Sequence, residues 1–586
     1  MQRYIFPIFI IIFSITIRAN ILKIEQIKPG MKGYIVTADK DNKIEKFDFE
    51  VIDVIKKASV KRDIVLVKFY GDYIEKKGIA QGMSGSPAYI EGALIGALAY
   101  TWGYLKEPIG GIQPIEQMIP VMKNIAYTQK TKQKFISLDK ELAEKIDIEY
   151  IENIKPEKTD LIPISTPLVI SGFAPEVINL LKSKLDQNYF SIIDGGSSEK
   201  KSDNKTLNPG DAVAIPLVTG DANVAAIGTV TYKEGNKVLI FGHPFLGRGS
   251  IKLPMAKAFV HYIMPTLNVS WKFASASEII GSVYNDQETA VAGIIGEKPE
   301  MIPLTLNIEK DGENFNYNYN LAKDPLFFPN LLSGIIMSSF FNIDPQKSEG
   351  SVTLEISVNI KNINTNEKKS FKINDFFVGF NSDTLYQSTM RLIFPLQYIV
   401  YNWFDDWDIE KIDIKMKKFP KYQVGFIEKA TLLDKFEFYP GEIVKIKLYI
   451  RMYKDKYTEK IVNIKIPSNI TTPSILEINI SSSKIENATY MYQYRPVFIP
   501  TNIDQLLSIF QMESSFSDIA VWIDIPATSL IVDGNFMPNL PLSKIYYYGY
   551  RQAGNYYSLT KREKTLVNTN YFVTGYIKLP IKIVPR

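Results

Sequence analysis

The sequence predicts a mainly β chain with a small α/β insertion and a β-rich, sandwich-like C-terminal region. Three observations carry this. Short alternating segments rich in Ile, Val, Tyr, Phe and Thr recur along the 586 residues. Lysine, asparagine, aspartate and glycine separate them, as in "GYIVTA", "KFDFEVIDVI" and "DIVLVKF". Helical periodicity concentrates between residues 133 and 193, in "SLDKELAEKI" and "APEVINLLKSKLDQ", the second with Pro175 placed for a first turn.

The length suggests about four domains of ordinary size. A hydrophobic content of 46% and a charged content of 22% describe a globular chain with several cores. The net charge of +5 is small and no basic stripe with interleaved aromatics stands out, so a nucleic-acid partner is not expected. Cysteine is absent, which excludes disulfides, a thiol nucleophile and cysteine-ligated metal.

The first 19 residues read as a signal peptide. Arg3 supplies the positive start, Tyr4 to Ile17 the apolar stretch, and Ala19 the last residue before cleavage. That stretch is shorter than the roughly 20 residues of a membrane-spanning helix. Ile17 is larger than the usual small residue of a cleavage site, and an uncleaved segment would hold the chain at the membrane. An exported chain is thus expected, periplasmic, envelope-associated or secreted, with its oligomeric state open.

Residues 28–128 form a first β block. It contains the hairpin "AYIEGALIGALAYTW", with Glu91-Gly92 at its turn, and closes on a short helix, "PIEQMIPVMKN", ending near Asn124. The α/β insertion and linker occupy 129–207, including the loop "DGGSSEKKSDNK". A second β block covers 208–300, where "NKVLIF" runs into Gly242-His243-Pro244-Phe245. A β-rich region follows over 301–420, with a break at "NWFDDWD". The sandwich-like accessory domain is 421–586.

The stretch "QGMSGSPAYI", Gln81 to Ile90, places two serines among turn-forming glycines just before a strand. A tight turn projects a serine hydroxyl outward, and backbone amides at and before it face a developing oxyanion. Those donors are Gly82 and Ser84. Ser86 precedes proline and is held extended, so Ser84 is the nucleophile candidate and Ser86 shapes the turn. An ordinary turn before a hairpin is the bland alternative.

A serine nucleophile needs a base, and the chain has only two histidines. His243 sits at a strand end between glycine and proline and is the base candidate. His261, in "AKAFVHYIMP", has apolar neighbours and reads as a core or interface histidine. Asp72 and Asp63 are both candidates to orient the imidazole. The cluster Asp405, Asp406 and Asp408 reads as a solvated turn. No metal-ligand spacing is present, and the chemistry needs no cofactor.

Together, "IAQGMSGSPAYIEGALIGALAY" and "GTVTYKEGNKVLIFGHPF" resemble segments of the SpoIVB-type serine peptidase family. The resemblance implies a chymotrypsin-like, two-lobed β-barrel peptidase core. It implies Ser84 as nucleophile, His243 as base and Asp72 as the acid, acting on protein or peptide substrates in the cell envelope. The departure is order: the family's histidine segment comes first, whereas here Ser84 precedes His243. The chain therefore resembles a version of the domain with its halves swapped, and no accompanying PDZ domain is identified. Two functions follow as expectations: an exported serine endopeptidase, or a non-catalytic envelope protein that keeps the fold as a binding or assembly module.

Overall fold

The computed structural model describes residues 20–59, 62–102, 105–125, 162–184, 190–195, 206–266, 269–324, 327–344, 349–402, 404–468, 470–493, 500–512, 514–532, 535–537, 540–550 and 557–584. The expected signal peptide and the helix "SLDKELAEKI" lie outside these residues, as does most of "DGGSSEKKSDNK".

The first block contains β1 (Lys32–Ala38), β2 (Ile44–Ser59), β3 (Arg62–Tyr70), α1 (Asp72–Lys77), β4 (Pro87–Ile90), β5 (Ala93–Thr101), β6 (Ile109–Pro114) and α2 (Ile115–Lys123). Alternation along β3 turns Val65, Val67 and Phe69 inward against Ile35, Phe49, Leu98 and Ile112. Glu91 and Gly92 both take positive φ, 50° and 78°, which a two-residue turn matching the strand twist requires. The strands close into a barrel in the order β1-β2-β3-β6-β5-β4, with β4 paired back to β1.

The insertion contributes β7 (Ile162–Pro163), β8 (Thr166–Ser171), α3 (Pro175–Lys184) and β9 (Phe190–Asp194). β8 and β9 are parallel with α3 crossing between them, and β8 pairs with the second block. Pro175 opens α3, as the sequence predicts.

The second block contains β10 (Ala212–Gly220), β11 (Asn223–Glu234), β12 (Lys237–Ile240), β13 (Gly249–Met264), β14 (Trp271–Gln287) and β15 (Ala290–Ile295). It closes in the order β10-β11-β12-β15-β14-β13. Numbered within each block, both rings run first, second, third, sixth, fifth, fourth. The expected two-lobed core is thus two barrels of one topology. α2 bridges them, with Ile115, Met118 and Met122 packed against Leu239, Ala290 and Ala292.

The second sheet continues beyond the barrel through β16 (Met301–Lys310), β17 (Glu313–Ala322), β18 (Glu349–Asn362), β19 (Lys368–Phe380) and β20 (Trp407–Phe419). The β-type reading of 301–420 misses two helices here, α4 (Phe327–Ile343) and α5 (Asn381–Val400). α4 is buried around most of its circumference, so it shows no polar face to mark its period. The C-terminal region has the expected sandwich form: a four-stranded and a six-stranded sheet enclose Val444, Ile446, Leu448, Ile480, Val521 and Ile581.

Candidate active site

Ser84 lies on the connection from β3 to β4, and His243 on the connection from β12 to β13. These are equivalent loops, third strand to fourth, of the two barrels. Their approach is set by threonines of β11 in the segment Gly228-Thr229-Val230-Thr231. Thr229 Oγ1 donates to Gly82 O at 2.9 Å and Thr229 N–H to Ser84 O at 2.9 Å. Thr231 Oγ1 donates to Gly85 O at 2.7 Å. Three carbonyls of the serine turn are therefore held by the other barrel.

The glycines explain how the backbones come so close. Gly85 has φ +91°, and a Cβ there would lie 2.1 Å from Thr229 O and 2.6 Å from Phe241 N. On the other side, a Cβ at Gly242 would lie 3.0 Å from Ala97 Cβ of β5. The residue after Ser84 and the residue before His243 thus sit at one barrel junction. Phe241 and Gly242 both take positive φ, 68° and 76°, so the strand leading to His243 ends in a sharp left-handed corner. A fully buried phenylalanine in that region is strained and is held there by its surroundings.

Ser84 is fully buried and His243 is 2% exposed. Among the described residues Ser84 Oγ and His243 Nε2 have no hydrogen-bond partner, so the nucleophile–base bond is not formed in this state. Ser86 differs: its Oγ donates to Met83 O at 2.6 Å and fastens the turn. Met83 N–H, Gly85 N–H and Ser86 N–H donate to Ala80 O, Leu98 O and Met83 O. Among the described residues, the Gly82 and Ser84 amides have no acceptor.

His243 Nδ1 lies 2.8 Å from Pro244 O. A carbonyl only accepts, so Nδ1 carries the proton and Nε2 presents its lone pair. Burial pushes the imidazole down to about 4, against a smaller opposing effect of the Pro244 carbonyl. The expected bond from Asp72 to the imidazole is not made. Asp72 is an exposed first-turn residue of α1, and Nδ1 is occupied by a carbonyl. Asp63 makes no such bond either: it accepts from Lys57 N at 2.8 Å and Lys56 Nζ at 3.3 Å in the β2–β3 hairpin.

The carboxylate serving the histidine loop is Asp286, at the end of β14. It accepts from Phe245 N at 2.8 Å and Leu246 N at 2.6 Å, directly after His243-Pro244. Burial pushes its carboxyl up to about 6, while the amides of Phe245, Leu246, Arg248 and Gly247 hold it back. Arg248, on the same loop, pairs with Asp324 at 2.8 Å. In the sequence, Asp286 in "VYNDQET" is indistinguishable from a hairpin-turn acid. His261 Nε2 meets Ser275 Oγ at 3.0 Å between the Phe259 and Phe273 rings. Asp405 serves the turn at Trp407, and Asp408 pairs with Lys323.

Residues 14–119 match the family model of SpoIVB peptidase S55. The match spans the first barrel with its serine turn, so this part of the chain is similar in sequence to SpoIVB-type serine peptidases. The match does not reach His243. No curated protein and no solved structure matches the chain.

The opposite shifts of His243 and Asp286 have a measurable consequence. Between about pH 6.5 and 4 the unfolded chain protonates this histidine and the folded chain does not, so stability falls as pH falls. Between about pH 6 and 3.8 the folded chain protonates Asp286 and the unfolded chain does not, so stability rises as pH falls. Each effect amounts to about 3 kcal/mol at most and they largely offset. Relative to wild type, His243→Gln should gain thermal stability as pH is lowered from 6.5 to 4, and Asp286→Asn should lose it. Parallel melting-temperature profiles for the three proteins would refute the assignment.

Proposed function

We propose that the chain is an exported serine endopeptidase with Ser84 as nucleophile and His243 as base. The observation that carries this reading is a pair of buried polar atoms, Ser84 Oγ and His243 Nε2, without a hydrogen-bond partner among the described residues, on equivalent loops at one barrel junction. Buried polar groups are almost always satisfied, and two exceptions at one place point to chemistry.

Ser84 Oγ attacks the peptide carbonyl carbon while His243 Nε2 takes its proton. The carbonyl oxygen becomes an oxyanion held by the Gly82 and Ser84 amides. The C–N bond breaks, the imidazolium protonates the leaving amine, and an acyl-serine remains. Water, deprotonated by the same imidazole, releases the acid. Asp286 takes the orienting role expected of Asp72, acting through the backbone of residues 245 and 246. The segment Arg3 to Ala19 supports export, and with it substrates in the envelope or outside it.

The full burial of Ser84 favours one rival, a non-catalytic envelope protein that uses the same barrels for binding. The two separate on labelling of the wild-type protein with a serine-directed phosphonate, followed by peptide mapping. The peptidase is expected to carry one adduct, on Ser84. No adduct, or an adduct confined to other serines, selects the rival.

A further inference from the structure

Lys272, near the start of β14, is fully buried between the barrels. Its Nζ donates to Thr37 Oγ1 of β1 at 2.7 Å and to Thr229 Oγ1 of β11 at 2.9 Å. Thr229 Oγ1 in turn donates its own hydrogen bond to Gly82 O. The lysine stem lies against Gly82, where an added Cβ would meet Lys272 Cβ at 3.2 Å. Its backbone N–H donates to Gln81 O at 2.9 Å. One side chain thus touches both barrels and backs the peptide that leads into Ser84.

A buried lysine without a carboxylate partner is costly, and among the described residues none pairs with Lys272. Methionine would fill the same space without that cost. Burial pushes the amine down to about 7, and Asp39 opposes this. Asp39 is itself engaged by Tyr73 O–H and Ile263 N–H, and Tyr73 in turn by Lys77. Other titratable groups on the neighbouring strands include Tyr34 of β1, Tyr232 of β11, and Lys257, His261 and Tyr262 of β13, with His243 beyond the serine turn.

We propose that Lys272 is a positioning residue of the serine site: through Thr229 it fixes the Gly82–Ser84 turn across the barrel junction in the shape that receives the oxyanion. The proposal rests on the serine-peptidase reading. When the amine is charged it donates to both threonines, and Thr229 is left free only to donate onward to Gly82 O. When the amine is neutral its lone pair competes for a threonine proton and the relay loses its fixed direction. Acylation therefore falls as pH rises through the lysine's titration near neutrality.

The test measures the rate of phosphonate labelling and peptide cleavage against pH for wild type, Lys272→Met and Thr229→Val. Lys272→Met should lower kcat and the labelling rate at least tenfold with KM little changed. It should also lose the decline on the alkaline side of pH 7, while its melting temperature stays level or rises. A lysine needed only for folding would instead lower the melting temperature and leave kcat and the pH profile of the folded fraction unchanged, which overturns the proposal. If Lys272→Met does not fold, Thr229→Val is decisive: it keeps the amine and breaks the relay, and an unaltered kcat in that variant also overturns it. A wild type that is not labelled at Ser84 sinks the peptidase reading and this one with it. Equal labelling of wild type and the folded variants sinks this one alone.

Discussion

Ser84→Ala is expected to lower peptide hydrolysis on the order of 10⁴- to 10⁶-fold and to leave the fold at least as stable as before. The kinetic loss follows from removing the attacking oxygen. The stability expectation follows from Ser84 Oγ having no hydrogen-bond partner among the described residues although it is buried. Removing an unsatisfied buried hydroxyl relieves a desolvation penalty of about 1–2 kcal/mol and leaves no orphaned partner. Ser86→Ala makes the natural comparison, because that hydroxyl holds Met83 O. It should lose about 1 kcal/mol of stability and keep most of the hydrolysis. Rates and melting temperatures of the two variants decide the matter together. An unchanged hydrolysis rate in Ser84→Ala, or a larger kinetic loss in Ser86→Ala, would remove Ser84 from the chemistry.

Much of this arrangement was legible in the sequence because it depends on local patterns. Alternation gave the barrel strands, Glu91-Gly92 gave the hairpin, and Pro175 gave the start of α3. The serine turn and the Gly-His corner stood out by their glycines, which the backbone conformations at Gly82, Gly85 and Gly242 require. What remained hidden is what depends on partners distant in sequence. Asp286 lies 43 residues after His243 and works on backbone amides, for which no side-chain spacing rule exists. Lys272 occupies an inward-facing strand position that alternation would assign to an apolar residue. Its reason is supplied by Thr37 and Thr229, on two other strands. Asp72 was favoured for its position before the serine, but proximity in sequence did not bring it to the imidazole.

The swapped order of the two segments matters less than it first seems, because the barrels share one ring order. The third-to-fourth connections of the two barrels, one carrying Ser84 and the other His243, approach each other where Gly85 lies against Phe241 and Gly242 against Ala97. Which barrel comes first in the chain does not alter that geometry. The junction itself must then be tight, and the tightest point is Gly85.

Gly85→Ala is accordingly expected to be severely damaging. Two costs combine there. Positive φ at an alanine costs about 1–2 kcal/mol wherever it occurs. A Cβ 2.1 Å from Thr229 O and 2.6 Å from Phe241 N adds a clash with two backbone segments of the other barrel, neither of which is a flexible side-chain end. Relieving it means separating the serine turn from β11, and that breaks the bonds from Thr231 Oγ1 to Gly85 O and from Thr229 N–H to Ser84 O. A total loss above about 4 kcal/mol follows, together with loss of reactivity at Ser84 in whatever fraction stays folded. Gly92→Ala isolates the first cost. Gly92 also has positive φ, +78°, yet nothing lies within 4 Å of its added Cβ. That variant should lose only about 1–2 kcal/mol and keep full reactivity. Denaturant unfolding of the two variants side by side measures the difference. Equal losses would mean that the barrels do not meet at Gly85, and the convergence of Ser84 and His243 would lose its footing.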